Sequence, residues 1–231
     1  MIVYSNSDSY GVMSTGFRYS EFLAQSLNAM SVNSGKEGSC NQRIFRTTVR
    51  DLLKLQQQTD EPILCLLCLG SLIRSEWWNE TKRPLPNETD GHFESFQIHT
   101  ANYPTHPIRD YMDQWYRLYN DEATQTNLFM ELVLLTSWLK NNKIEYIVFA
   151  GNNITYKKMD YNDVFVKDFA TPIFADQNIL NLNDFSFVKH CLAQGHKPFD
   201  YAQYKENGHH GESAHRDFAN FLLEFYHERR H

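Results

Sequence analysis

The sequence predicts a three-layer α/β/α sandwich around a parallel sheet of about five strands. Three observations lead there. Short apolar runs of strand length alternate with stretches of helical periodicity along the chain. One run, Ile63–Leu69, is apolar without interruption, as a strand covered on both faces should be. Three of the runs end in polar or glycine-bearing turns, which in a parallel sheet open on one edge.

The elements follow in order. Met1–Tyr4 is a short apolar strand that runs into Ser5–Ser9. Tyr19, Phe22, Leu23 and Leu27 share one helical face. Ala29–Asn33 reads as a second strand, followed by the polar turn Ser34–Asn41. Phe45, Val49, Leu52 and Leu53 mark the next helix, and Pro62–Gly70 is the strongest strand. From Ser71 to about His106 the pattern is lost in a segment rich in Trp, His, Asn and Pro, including Trp77, Trp78, Phe93 and Phe96. A loop of that length in a compact domain is a lid or a binding loop when its aromatic content is high. Phe93 and Phe96 read as core of this insertion. Pro107–Tyr119 has helical character, and Leu128, Leu132, Leu135 and Leu139 form a clear helical stripe. Lys143–Ala150 is the fourth strand, Thr171–Phe174 a short fifth, and Asp184–Gln194 a helix stopped by Gly195. Phe218, Phe221, Leu222 and Phe225 define the last helix.

The 231 residues are 42% hydrophobic and 14% aromatic, enough for a real core, and fit one domain over 1–231 with an irregular insertion at about 71–106. The formal net charge of −6 argues against a broad nucleic-acid surface. No signal peptide and no run of 18 apolar residues is present, so the expectation is a cytoplasmic chain without a membrane partner. Cys65 and Cys68 are spaced as C-x-x-C, but within a strand. Residues three apart on a strand face opposite sides, so joint metal or redox use is not expected.

The chemistry-bearing residues gather at strand ends. Ser7, Asp8 and Ser9 follow the first strand, Gly38–Asn41 the second, and Gly70–Arg74 the third; Glu206–His215 precedes the final helix. A serine just past a strand is held rigidly and points into the crevice where open α/β sheets bind ligands. It becomes a nucleophile when a base takes its proton. A helix following Ser9 would add a positive end to a developing anion. Gly38 lets a backbone N–H approach closely, and a histidine at a loop-to-helix junction can reach a strand-end serine. Two plainer readings stand beside these: Ser9 as a helix cap, and Arg74 with Glu76 as a surface ion pair. His209 and His215 are six apart, a spacing that no short helical zinc motif uses, so no metal is expected.

These blocks, in this order, resemble the SGNH, or GDSL-type, hydrolase superfamily. Ser7-Asp8-Ser9 stands where that family has Gly-Asp-Ser, which makes Ser9 the implied nucleophile and its N–H an oxyanion donor. Gly38, in Gly38-Ser39-Cys40-Asn41, is the implied second donor. Glu206-x-x-His209 is similar to the family's Asp-x-x-His, with His209 as base and Glu206 as acid; in an Asp-x-His register the position would be Asn207. The third block departs from Gly-x-Asn-Asp: Gly70 is followed by Ser71, Leu72, Ile73 and Arg74, so the family's asparagine donor is missing and Asn41, Ser71 or Arg74 stands in. His210 occupies a place where proline is common. The resemblance implies a flavodoxin-like SGNH fold and a serine hydrolase of small-molecule or carbohydrate esters that needs no cofactor. Asp8, Ser71 and Arg74 are its expected substrate contacts. The alternatives are a binding protein that keeps the fold with a degraded site, and an acyltransferase using the same serine.

Overall fold

The computed structural model describes residues 1–11, 18–72, 74–78, 93–97, 114, 117–118, 120–152, 164–199 and 208–230. Its central sheet has four parallel strands in the order β2-β1-β3-β6: β1 (Ile2–Asn6), β2 (Met30–Asn33), β3 (Ile63–Leu69) and β6 (Glu145–Ala150). Tyr4 of β1 lies between Val32 of β2 and Cys65 of β3, and Cys65 in turn faces Tyr146 of β6. β4 (Arg74–Trp78) and β5 (Phe93–Gln97) form a separate antiparallel pair.

The alternation of β3 sorts the core into two layers. Ile63, Cys65, Leu67 and Leu69 pack with Ile44 and Leu52 of α2 (Asn41–Gln58), Phe129 and Leu132 of α3 (Asp121–Asn141), and Ile173 of α4 (Val164–Ala175). Leu64, Leu66 and Cys68 pack on the other side with Leu23 of α1 (Tyr19–Ser26), Phe187 of α5 (Phe187–Ala193), and Phe218 and Leu222 of α6 (Glu212–Glu228). The three-layer α/β/α architecture is therefore present, and Cys65 and Cys68 are on opposite faces, as the strand period requires. The chain fills β2 on one side of β1 and β3 on the other. The reversal between β1 and β3 is the switch point at which such sheets open a crevice beyond their strand ends.

Three expectations are corrected. Thr171–Phe174 is not a strand; it is the C-terminal part of α4, with Pro172 inside the helix. Ala170 and Ile173, three apart, are both buried, and a four-residue apolar run does not distinguish the two periods. Among the described residues, the fifth place beside β6 is taken by isolated parallel bridges, Val148 to Ile179 and Ala150 to Ser186. The stretch after Ser71 is not wholly irregular, because β4 and β5 lie within it; its remaining residues, and most of Pro107–Tyr119, are outside the described residues. The helix expected from Asp184 starts at Phe187, behind the cap Ser186, whose hydroxyl accepts the Lys189 N–H at 3.1 Å. It ends before Gly195, which takes the left-handed conformation at φ 81°. No helix among the described residues is long and apolar enough to cross a membrane.

Candidate active site

The end of β1 is fastened before the turn begins. The Asn6 side-chain amide, fully buried, donates to Thr47 Oγ1 at 2.8 Å and to the Ile44 carbonyl at 3.0 Å, tying the strand to α2. Its Oδ1 accepts the Ser7 N–H. The chain then folds tightly: Gly11 N–H donates to the Asp8 carbonyl at 3.2 Å, and Tyr10 N–H donates to Asp8 Oδ1 at 3.1 Å. Such aspartate-led turns satisfy the backbone locally. Ser7 and Asp8 are fully buried, whereas Ser9, at the corner of the turn, is partly exposed. A Cβ on Gly11 would lie 2.1 Å from Ser7 Oγ, so only glycine fits there. Gly11, two positions past Ser9, was a legible signal that the sequence reading did not use. Residues 9–11 form a turn, and the helix expected over Tyr19–Leu27 is present as α1, which begins at Tyr19 with Arg18 as its cap.

Asp8 anchors the turn to two neighbouring strand ends. Arg74 Nη1 donates to Asp8 Oδ2 at 2.9 Å and approaches the Ser39 carbonyl at 3.4 Å. Arg74 therefore points inward and pairs with Asp8, not with Glu76; Glu76 is held by Arg46 through two hydrogen bonds of 3.2 and 2.8 Å. Gly70 provides the room: a Cβ there would meet Ser39 O at 3.1 Å and Asp8 Oδ2 at 3.3 Å. Burial pushes the Asp8 carboxyl above the usual carboxylate range. Arg74, the Tyr10 N–H and the charge of His209 oppose that shift.

The oxyanion candidates differ in their freedom. Gly38 is exposed, has φ +75°, and would have nothing within 4 Å of an added Cβ. It precedes the end of a turn closed by Ser39 N–H to Lys36 O at 3.1 Å, where a positive φ calls for glycine. Lys36 N–H donates to the Ser7 carbonyl at 3.1 Å and holds this loop against the first. Asn41 is buried, and its amide is occupied on both sides by Gly70: Oδ1 accepts Gly70 N–H at 2.8 Å, and Nδ2 donates to Gly70 O at 3.3 Å. One amide hydrogen beyond that pair is what Asn41 has to offer a ligand. Ser71 is buried, and its carbonyl accepts the Arg74 N–H at 3.3 Å. Asn41 and Arg74 also line a polar cavity of about 120 Å³ with Ser75, Thr124 and Glu131.

The three histidines divide by environment. His209 is partly exposed; its ring stacks on Tyr10 at 5.6 Å and on Phe199 at 6.2 Å. His210 is fully buried, edge-on to Phe187 at 5.8 Å. His215 is fully buried between Phe187 at 4.9 Å and Tyr19 at 5.8 Å. Burial, reinforced by the charges of His210 and His209, pushes its imidazole down to about 4. Tyr10 was absent from the sequence reading; it joins the Ser9 turn to His209. Glu206 and Asn207, the two acid candidates, lie outside the described residues. Among the described residues no group of three His, Cys, Asp or Glu side chains could hold a metal ion.

A family model described as a family of unknown function, DUF6071, matches residues 7–164. No curated protein matches the sequence. Among solved structures, the chain is similar to a G-D-S-L family lipolytic protein from Veillonella parvula, at 14% identity and a TM-score of 0.46, covering 97% of each chain. It is similar to another protein assigned to that family, from Desulfitobacterium hafniense, at 12% identity and a TM-score of 0.49, covering 97% of this chain and 98% of that one. It is also similar to Axe2, an acetylxylan esterase from Geobacillus stearothermophilus, at 16% identity and a TM-score of 0.37, covering 97% of this chain and 93% of that one.

Proposed function

We propose that this chain, which belongs to DUF6071, is a serine hydrolase of acyl esters, with Ser9 as nucleophile and His209 as base. One observation carries the reading: the residue following Ser9 stacks its ring on His209 at 5.6 Å, so two residues 200 positions apart in sequence share one strand edge. The partly exposed corner position of Ser9, on a turn whose flanking residues are buried, supports it further.

In this reading Ser9 Oγ attacks the ester carbonyl carbon while His209 takes the hydroxyl proton. Glu206 accepts from the far ring nitrogen and stabilises the imidazolium. The oxyanion is met by the N–H groups of Ser9 and Gly38, with Asn41 as a third donor through its remaining amide hydrogen. Collapse expels the alcohol, which receives the proton from His209 and leaves an acyl-Ser9 ester. Water, deprotonated by His209, then releases the acid and restores the serine. An acyltransferase would differ only in the hydroxyl that accepts the acyl group. The substrate class is a small-molecule or carbohydrate ester, with Ser71, buried just past the end of β3, as a proposed contact.

The engagement of the Asn41 amide by Gly70 is the observation that favours the rival, a binding protein with a degraded site. A fluorophosphonate probe separates the two. Labelling that is lost in Ser9→Ala supports the hydrolase; absence of labelling in the native protein refutes it.

A further inference from the structure

The polar cavity of about 120 Å³ lies between the start of α2, the start of β4 and the first half of α3. Two of its walls belong to the candidate site. Arg74, which lines it, donates through Nη1 to Asp8 Oδ2 at 2.9 Å, and Asp8 directly precedes Ser9. Asn41, which also lines it, carries the amide hydrogen left over from its pairing with Gly70. Arg74 brings a second free donor. Its Nε–H is buried and has no hydrogen-bond partner among the described residues, although Nη1 of the same guanidinium is committed. Buried donors are nearly always paired, so such an orphan marks a place where a ligand or water completes the bond.

We infer that this cavity is the subsite for the alcohol portion of the ester, and that this portion is a neutral group bearing several hydroxyls, a sugar ring or similar polyol. The inference rests on the hydrolase reading for the ester; the hydroxylated group is read from the lining. Glu131 offers a carboxyl, Ser75 and Thr124 offer hydroxyls, and Arg74 and Asn41 offer N–H donors. A ligand hydroxyl both donates and accepts, so it satisfies either kind of partner. An apolar acyl chain in the same place would leave these groups desolvated and unpaired. Leu72 and Leu128, both buried, line the same cavity and give the C–H edges of a ring an apolar contact.

Charge also favours a neutral occupant. An anion would meet Glu131, and a cation would meet Arg74, whose guanidinium stays charged at every working pH. Glu131 is half-buried, and burial, followed by the charge of Glu76, pushes its carboxyl above the usual range. A carboxyl accepts a hydrogen bond from a hydroxyl in either protonation state, so this contact does not depend on its charge. Glu76 is itself engaged through both oxygens by Arg46, which leaves Glu131 as the carboxyl that lines the cavity.

Two matched acetates test it: glucose acetylated on its primary hydroxyl, and cyclohexylmethyl acetate, which keeps the ring and lacks its hydroxyls. The native protein should have the higher kcat/KM on the sugar ester. Glu131→Ala, a change well tolerated on a helix, should lower the ratio of the two kcat/KM values by roughly fivefold or more, the worth of one hydrogen bond. Ser75→Ala should lower the same ratio. Binding is read apart from chemistry by saturation-transfer NMR. The sugar ester should give a signal on Ser9→Ala and lose it on Ser9→Ala/Glu131→Ala. A native preference for the cyclohexyl ester, a ratio unchanged in both folded variants, no signal on Ser9→Ala, or a signal that survives the double variant overturns the inference. Absence of turnover on both esters, with a signal that depends on Glu131, overturns the hydrolase reading and leaves the cavity as a polyol site.

Discussion

His215 should make the stability of this protein fall in mild acid. It is fully buried, stacked between Tyr19 and Phe187. Burial first, and then the charges of His210 and His209, depress its pKa from 6.5 to about 4, with a hydrogen bond to the His210 backbone opposing the shift. The folded protein keeps this ring neutral where the unfolded chain would protonate it. A depressed folded-state pKa contributes stability that is whole above the unfolded value and is lost as pH falls towards the folded value. The window is therefore from pH 6.5 down to about 4. At 1.36 kcal/mol per unit, the loss over that span is about 3 kcal/mol, a large share of the 5–15 kcal/mol typical of a domain. The assay is urea unfolding at half-unit steps of pH, for the native protein and for His215→Leu. The variant has a lower stability at neutral pH but no imidazole to titrate at this position. His190, also lowered by burial, stays in both proteins and cancels in the difference. The two curves should converge by about 3 kcal/mol between pH 6.5 and 4. Parallel curves would show that His215 is protonated in the folded state, and the reasoning from its burial would fail.

Three other expectations concern the site. His209→Ala should depress ester turnover as far as Ser9→Ala does, and the double variant should be no worse, because residues acting as a unit are not additive; an additive loss measured in steady-state kinetics would separate the two residues. Glu206→Gln should lower kcat at least about a hundredfold, against roughly 10⁴ for the same change in a well-studied serine protease, while Asn207→Ala leaves it nearly unchanged; the reverse result assigns the histidine's partner to 207. Gly11→Ala should destabilise by about 1–3 kcal/mol, the cost of overpacking, because the added methyl meets Ser7 Oγ at 2.1 Å. An unchanged midpoint in thermal unfolding would show that the turn can open to admit it.

The sheet and its helices were legible because periodicity is a local property. The uninterrupted run Ile63–Leu69 announces a strand covered on both sides, and its alternate residues do divide between the two core layers. Thr171–Phe174 misled because four residues are too few to separate a period of 2.0 from one of 3.6. The hairpin of β4 and β5 was hidden because its strands carry charged and aromatic residues without clean alternation. At the site, the strand-end positions of Ser9, Gly38 and Gly70 followed from the fold class. The pairing of Asp8 with Arg74 did not, since the two are 66 residues apart and only the adjacency of β1 and β3 brings them together. Asn41 shows the same limit from the other side. Its amide looks available in the sequence, yet its main commitment is to the Gly70 backbone.

The switch point between β1 and β3 also fixes how the protein loses its site. β1 is hydrogen-bonded on both sides, all five of its residues are buried, and the Ser9 turn follows it directly. Amides in such a strand exchange with solvent only when the whole domain opens. The turn is further fastened to that strand by Asn6 and Asp8. The serine is thus mounted on the part of the molecule that melts last, while His209 arrives from the segment before α6. On gentle warming, hydrogen exchange should therefore find the β1 amides protected until global unfolding.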